Sequence, residues 1–332
     1  MNLPRSLAFV LCLAPVVLAQ DLTLSQLATR PEFLPAQATL KQPVKLQGRP
    51  ALAAGQMLTV VSVQGTSVEL ETPDGRSTFT TKAEDTDVLA KAQATWNALS
   101  PEQRALTYAT LLRRNDLWPY RVTLKRVVHL SGGDLKAGET AILVGLEGND
   151  LLLVNEKGKF LYNLEPAGTD LLESARKLVV NKAAFPSRVR EDLKGKLVSP
   201  LTGAAAAPST GAEPKYYVFY RGAGWCGPCR QFSPALVKFD QTAKAKAPAY
   251  ELVFISGDKT PADMAKYAKE AGFSWNAVPQ ARQPDMQIVN RLFTNLIPQL
   301  VVTDPAGNVL IDSAKSGTAG ALKQLDALLK KG

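Results

Sequence analysis

Trp225-Cys226-Gly227-Pro228-Cys229-Arg230 is the stretch on which the reading of this 332-residue chain turns. It directly follows the apolar run Tyr216-Tyr217-Val218-Phe219-Tyr220 and precedes a helix-like stretch from Gln231 to Ala245. A strand feeding a helix whose first turn carries two thiols is an arrangement for dithiol chemistry. The N-terminus of such a helix presents unpaired N–H groups and a partial positive charge. A thiolate at Cys226 is stabilised there, its pKa falling from about 8.5 toward roughly 7 or below. Cys229 lies nearly one turn later on the same face, where it can attack a mixed disulfide formed at Cys226. Pro228 sits in the first turn, where a missing N–H removes no helical bond. Two other readings compete. A purely structural disulfide over so short a loop adds little stability. A zinc site needs about four ligands, and the chain holds three cysteines and one histidine.

Composition bounds the rest. The chain is 45% hydrophobic and 21% charged, a globular balance with length enough for two or three domains. Its net charge is +9. No dense Lys/Arg block, aromatic-basic interleaving or nucleic-acid motif accompanies that charge, so a solvated basic surface is expected, with no nucleic-acid partner. Arg5, the apolar run Leu7 to Leu18 and Val17-Leu18-Ala19 have the form of a cleavable signal peptide spanning residues 1–19, cut after Ala19. Cleavage removes Cys12 and leaves Cys226 and Cys229 as the only cysteines. A periplasmic or secreted location follows, in which disulfides persist. No later run reaches about 18 apolar residues, so no transmembrane segment is expected.

Residues 21–40 read as an arm or short helix. Between 41 and 173 the chain repeats itself at an offset of 83: Gly55 falls on Gly138, Val61 on Val144, Gly65 on Gly148, Leu70 on Leu153 and Gly75 on Gly158. Each copy reads as short strands joined by tight turns, among them Pro73-Asp74-Gly75 and Glu156-Lys157-Gly158. Val44–Leu46 and Val127–Leu130 are the expected entry strands. The predicted architecture is multidomain: two small all-β, five-stranded SH3-like barrels with connecting helices, then an α/β domain. Residues 41–100 form the first repeat with a trailing helix near Thr86–Leu99. Residues 101–120 form a helical connector opened by Ser100 as N-cap and running to about Arg113. Residues 121–180 form the second repeat, whose helix is Asp170–Val179. His129, the only histidine, is expected to be a structural strand residue. The repeats are candidates for a peptide or cell-wall ligand. Residues 181–214 are a linker whose small-residue run from Gly203 reads as flexible, and 215–332 is the α/β domain, beginning as early as 187. Within it, helices are expected from Thr260 to about Ala271, at about Asp285–Phe293 and at Ala319–Leu329.

The C-terminal half resembles thioredoxin-fold proteins, and among them tryparedoxin and nucleoredoxin. The residues that carry this are Trp225-Cys226-Gly227-Pro228-Cys229-Arg230 with Phe232 and Pro234, Glu251 to Ser256 with Asp258, Trp275 with Val278-Pro279, and Ile297-Pro298 before an apolar strand. The resemblance implies that Cys226 attacks, that Cys229 resolves, and that Pro298 is cis beside the disulfide. Trp225, Gly227, Pro228, Ile297, Pro298 and Tyr220 would shape or support the docking face. It implies no metal and no cofactor beyond the dithiol. There are departures. Tyr220 stands where ordinary thioredoxins bury an acid, Gly227-Pro228 replaces the usual two prolines of tryparedoxins, and Gln299 follows the proline in place of threonine. Arg221 and Arg230 are candidate thiolate-stabilising cations. The function implied is an exported thiol-disulfide oxidoreductase that reduces protein disulfides and is recharged by an electron donor. The alternatives are an oxidase or isomerase of secreted proteins, or a binding protein with a redox-sensitive clip.

Overall fold

In the computed structural model the described residues are 21–331, apart from 74, 132, 157–159, 182–184, 209–211 and 245–249. The signal-peptide segment with Cys12, and the turn residues Asp74, Lys157 and Gly158, lie outside the described residues. The chain forms two compact units, Met1–Ala105 and Leu106–Gly332.

The first unit holds one copy of the repeat. Helix α1 (Leu24–Thr29) opens on Thr23, whose hydroxyl accepts from Gln26 N while the Gln26 side chain accepts from Thr23 N. Strands β1 (Gln37–Thr39), β2 (Met57–Gln64), β3 (Ser67–Glu71) and β4 (Thr78–Lys82) make an antiparallel sheet in sequence order. Helix α2 (Val88–Asn97) covers it and α3 (Pro101–Ala105) follows. Leu27, Leu40, Val68, Leu70 and Val88 form its core. The expected five-stranded barrel is corrected to an open four-stranded sheet. Among the described residues β1 and β4 do not pair; a single bridge, Leu40 to Thr86, approaches closure. Val44 makes only an isolated bridge with Leu52, so the entry strand is Gln37–Thr39, seven residues earlier than the pattern suggested.

The second unit repeats the same plan. Helix α4 (Tyr108–Leu111) opens on Thr107 in a second capping box, with Thr110 in the reciprocal role. This is why the helix begun at Ser100 stops at Ala105: two successive N-caps divide the stretch that composition alone made one helix. Strands β5 (Arg121–Thr123), β6 (Thr140–Glu147), β7 (Asp150–Asn155) and β8 (Leu161–Leu164) and helix α5 (Leu171–Val180) follow. The repeat is therefore longer than its 83-residue self-match. Thr23 corresponds to Thr107, Leu27 to Leu111, Arg30 to Arg114 and Thr39 to Thr123, all at an offset of 84. From Leu52 and Leu135 the offset is 83. One residue fewer in the second loop hid the earlier half. Matching hydrogen bonds confirm the correspondence: Thr39 N donates to Asp87 Oδ1 at 2.6 Å, and Thr123 N to Asp170 Oδ1 at 2.6 Å. Residues 107–120, expected as a connector, belong to the second copy. His129 is corrected too: it is an exposed loop residue whose Nδ1 lies 2.9 Å from Asp134 Oδ1.

The rest of this unit is a five-stranded sheet of order β11-β10-β9-β12-β13. Helix α6 (Arg188–Leu193) precedes it. Strand β9 (Tyr216–Gly222) is central; β10 (Tyr250–Ser256) and β11 (Asn276–Val278) run parallel to it, β12 (Gln299–Thr303) antiparallel, and β13 (Val309–Asp312) pairs with β12. The pleat sends alternate side chains of β9 to opposite faces. Val218 and Tyr220 join the core under α7 (Gly227–Lys244), α8 (Pro261–Ala271) and α9 (Ser313–Lys331). Tyr217 and Phe219 join the opposite core with Val189, Leu193 and Met286. Two expectations change here. The Gly203 run is not a loose linker: Ser199 N donates to Ala204 O, Ala206 N to Leu197 O, and Val198 bridges Ala277, so residues 198–206 form a hairpin at the sheet edge. The helix expected at Asp285–Phe293 is instead two 3-10 turns, Gln280–Asp285 and Val289–Leu292. The side chain of Asp192, fully buried, takes the N–H groups of Gln287, Ile288 and Val289 at 2.7 to 2.9 Å.

That same carboxylate accepts from Tyr120 Oη of the second repeat at 2.7 Å. Tyr120, Ile142 and Val154 pack with Ile288. Arg188 donates to Leu143 O and, at 3.1 Å, to Ala306 O, and its guanidinium lies 5.3 Å from the Trp118 ring. The second repeat is thus packed onto the five-stranded domain. The first copy has Ala36, Thr59 and Glu71 where the second has Tyr120, Ile142 and Val154. Replacing Asp192 by Ala strands four donors, three of them backbone. We expect a loss of about 3–5 kcal/mol in the urea unfolding transition of the C-terminal unit, against about 1 kcal/mol for Tyr120→Phe. Equal small losses would show that the carboxylate does not organise the turn.

Candidate functional site

Helix α7 begins at Gly227, four residues earlier than its composition suggested, so Cys226 immediately precedes the helix and Cys229 lies in its first turn. The two are joined as a disulfide, S–S 2.17 Å, with Cα atoms 5.2 Å apart. Cys226 is 6% exposed and Cys229 is 0% exposed, so an incoming group reaches the first sulfur and not the second. The N–H of Cys229 donates to Cys226 Sγ at 3.2 Å. A negative charge on that sulfur is therefore met by a fixed backbone dipole and by the helix N-terminus together.

The residues expected around the pair are brought together. Pro298 is cis, and the carbonyl oxygen of Ile297 lies 3.9 Å from Cys226 Sγ. Trp225 is 68% exposed, with its Nε1 held by Gly257 O at 3.1 Å. Gly227 and Pro228 form the helix start, and a Cβ at Gly227 would meet nothing within 4 Å. The two arginines are placed otherwise than expected. Arg221 donates to Thr294 O at 2.8 Å, and Arg230 to Gly224 O at 3.1 Å and to Glu270 at 2.7 Å; neither hydrogen-bonds a sulfur.

Behind Cys229 there is a hydroxyl cluster in place of an acid. Tyr220 Oη lies 3.1 Å from Ser233 Oγ and 3.1 Å from Tyr267 Oη, and Ser233 Oγ donates to Cys229 O at 2.8 Å. Burial, first of all, raises both tyrosines above the ordinary phenol value, so the cluster is uncharged in the physiological range. The buried carboxylate nearest this cluster in its influence is Asp258, at the end of β10. It accepts from Gly224 N at 2.8 Å and from Ser256 Oγ at 3.0 Å. Gly224 is required there: a Cβ would stand 2.9 Å from Tyr267 Cβ. The roles of Gly224, Ser233, Asp258 and Tyr267 were not drawn from the sequence. Its available signals were the glycine next to the motif and the acid just past a strand end. Among the described residues no group of three or more His, Cys, Asp or Glu side chains could hold a metal ion.

Residues 213–309 match the family model for thioredoxin-like domains. The C-terminal part of the chain carries a thioredoxin-like domain. This thioredoxin-like domain is 30% identical over 119 residues to nucleoredoxin of Xenopus laevis, covering 36% of this chain and 28% of that protein. The chain thus spans under a third of that relative's length. Among solved structures it is similar to thioredoxin from Wuchereria bancrofti, at 30% identity over 41% of this chain and 94% of that one, TM-score 0.32. It is also similar to native tryparedoxin I from Crithidia fasciculata, at 28% identity over 36% and 83%, TM-score 0.31.

Burial, the largest influence, pushes the Asp258 carboxyl above its ordinary value of 3.8, against the pull of its bonds from Gly224 and Ser256. The folded domain then holds this proton at pH values where the unfolded chain has lost it. Its contribution to stability is full below the ordinary value and falls as pH rises through the raised one. Asp258→Asn keeps an acceptor for Gly224 N and removes the titration. We expect its stability, followed by urea unfolding across the acid range, to lack the decline that the native protein shows on that interval. Superimposable curves would remove Asp258 as the source.

Proposed function

We propose that this protein is a thiol-disulfide oxidoreductase that reduces disulfides of other proteins, with Cys226 as nucleophile and Cys229 as resolving thiol. The observation that carries this is the asymmetry of the pair: one sulfur reachable and met by the Cys229 N–H at the helix start, the other buried. In the reduced form the Cys226 thiolate attacks one sulfur of a substrate disulfide. A Cys226–substrate S–S bond forms, and the other substrate sulfur leaves as a thiolate that takes up a proton. The Cys229 thiol then loses its proton and attacks Cys226 Sγ. The Cys226–Cys229 bond forms and the second substrate sulfur leaves, also to be protonated. Two electrons have passed to the substrate, and a dithiol donor must restore the pair. Trp225, Pro228, Ile297 and Pro298 supply the surface on which the substrate lies, and Tyr220 supports it from behind.

Export is part of this reading. Residues 1–19 have the composition of a signal peptide, so the mature chain begins at Gln20 with a net charge of +8, from 38 basic and 30 acidic residues. The working compartment is periplasmic or extracellular. No helix among the described residues is long and apolar enough to cross a membrane.

Three measurements test the proposal. Cys229→Ser should accumulate a mixed disulfide at Cys226 with a protein substrate such as insulin, seen as a mass adduct that dithiothreitol removes, while Cys226→Ser should form none. Equilibration of the native pair against thiol buffers sets the direction: a potential near about −270 mV supports a reductase, and one above about −180 mV makes the protein an oxidase or isomerase. Sequencing the N-terminus of the exported protein should read from Gln20; retention of residues 1–19 would overturn the export claim.

A further inference from the structure

Between the second repeat and the thioredoxin-like domain lies a cavity of about 280 Å³, lined from the repeat by Trp118 and Gly145 and from the domain by Arg188, Arg291 and Asn308. Among the described residues that line it, the charged ones are both arginines and none is a carboxylate. Arg188 is 7% exposed. Its terminal nitrogens donate to the carbonyls of Leu143 and Ala306, and its Nε has no hydrogen-bond partner among the described residues. Asp192 and Asp304 act on its charge from nearby, but their oxygens are turned to other donors. Asp192 takes the three N–H groups of 287–289 and the Tyr120 hydroxyl, and Asp304 accepts from Asn308 N at 2.9 Å and from Asn308 Nδ2 at 2.7 Å. Arg291 is exposed; its Nε donates to Gln287 O at 3.0 Å, and no described group accepts from its terminal nitrogens. A guanidinium kept from water is costly unless an acceptor of opposite charge meets it, and the planar fork of its N–H groups fits an oxyanion. There is room for one. Gly145 stands at the bulge of β6, and a Cβ there would meet nothing within 4 Å.

We propose that this cavity is a binding site for a small oxyanion, of the size of phosphate or a short dicarboxylate, held between Arg188 and Arg291. The anion answers the charge of Arg188 from the side that the carbonyls of Leu143 and Ala306 leave open, and takes the unused fork of Arg291. Because the walls come from both the second repeat and the thioredoxin-like domain, a ligand that fills the space bridges the two and stabilises their docked arrangement. The site is separate from the dithiol, and the inference stands or falls independently of the reading of Cys226.

The test is isothermal titration calorimetry of the full chain at fixed ionic strength, with inorganic phosphate and malonate as separate probes and chloride as the background anion. We expect a saturable single-site isotherm with at least one probe; phosphate binding more tightly assigns the site to a tetrahedral oxyanion, and malonate binding more tightly to a carboxylate. Arg291→Gln should weaken binding about tenfold or more, the loss of a charge-assisted hydrogen bond. Gly145→Asp, which sets a carboxylate in the cavity, should abolish it. Lys323→Gln removes the same charge from an exposed position on α9 and should leave the affinity within about twofold of native. The thermal unfolding midpoint should rise with probe concentration in the native protein and stay constant in Gly145→Asp. Arg188 is left intact because its removal would disturb the packing, whereas Arg291 is exposed and its replacement leaves the fold in place. The site is overturned by the absence of saturable binding with either probe, or by native affinity in both Arg291→Gln and Gly145→Asp. An equal weakening by Lys323→Gln overturns it too, since the attraction would then belong to the overall charge of the chain.

Discussion

One buried carboxylate organises the C-terminal unit. Asp192 projects from a helix of six residues and accepts from three consecutive backbone N–H groups and from the Tyr120 hydroxyl. A buried N–H without a partner is costly, so the turn at 287–289 is stable only where such an acceptor waits for it. That turn leads through Phe293, packed edge-on against Phe219 of β9, into the segment that ends at Pro298. The same oxygens therefore tie the second repeat, the connection after β11 and the approach to the dithiol into one piece. Arg188, one turn earlier on the same helix, has burial pulling its pKa down to about 10, partly offset by Asp192. It keeps its charge at neutral pH among carbonyl oxygens and the Trp118 ring.

The dithiol depends on backbone more than on charged side chains. The arginines near the motif are committed to Thr294, Gly224 and Glu270, and the thioredoxin buried acid is replaced by Tyr220. What remains at Cys226 is the helix start and the Cys229 N–H. Both are set by the covalent spacing of the motif and do not move when salt or a neighbouring charge changes. The hydroxyl cluster of Tyr220, Ser233 and Tyr267 satisfies the carbonyl of Cys229. Asp258 is placed by the close approach of Gly224 to Tyr267, a contact that no larger residue at 224 allows.

Much of this was legible from local pattern. The motif, the flanking strand, Thr260 as a helix N-cap and the Ser100 capping box each rest on interactions within a few residues. The α/β domain was legible because its strands are continuous apolar runs. The repeats were half legible. Glycines at turns hold an offset of 83, while Thr23, Leu27, Arg30 and Thr39 match their partners at 84, so no single offset aligns the two copies along their whole length. The small-residue run near Gly203 reads as slack because alanine carries no packing signal, yet that smallness lets 198–206 lie flat along the edge of β11.

The sequence by itself determined the dithiol, the strand and helix that carry it and the existence of two related β copies, because those are short-range matters of spacing, periodicity and capping. Only the tertiary structure decided that the sheets stay open, that the second copy joins the thioredoxin-like domain and that Asp258, Ser233 and Tyr267 gather behind the cysteines. Each of those depends on partners distant in the chain, such as Tyr120 and Asp192. Which distant donor meets which acceptor is fixed by how the folded segments pack, and local patterning carries no record of it.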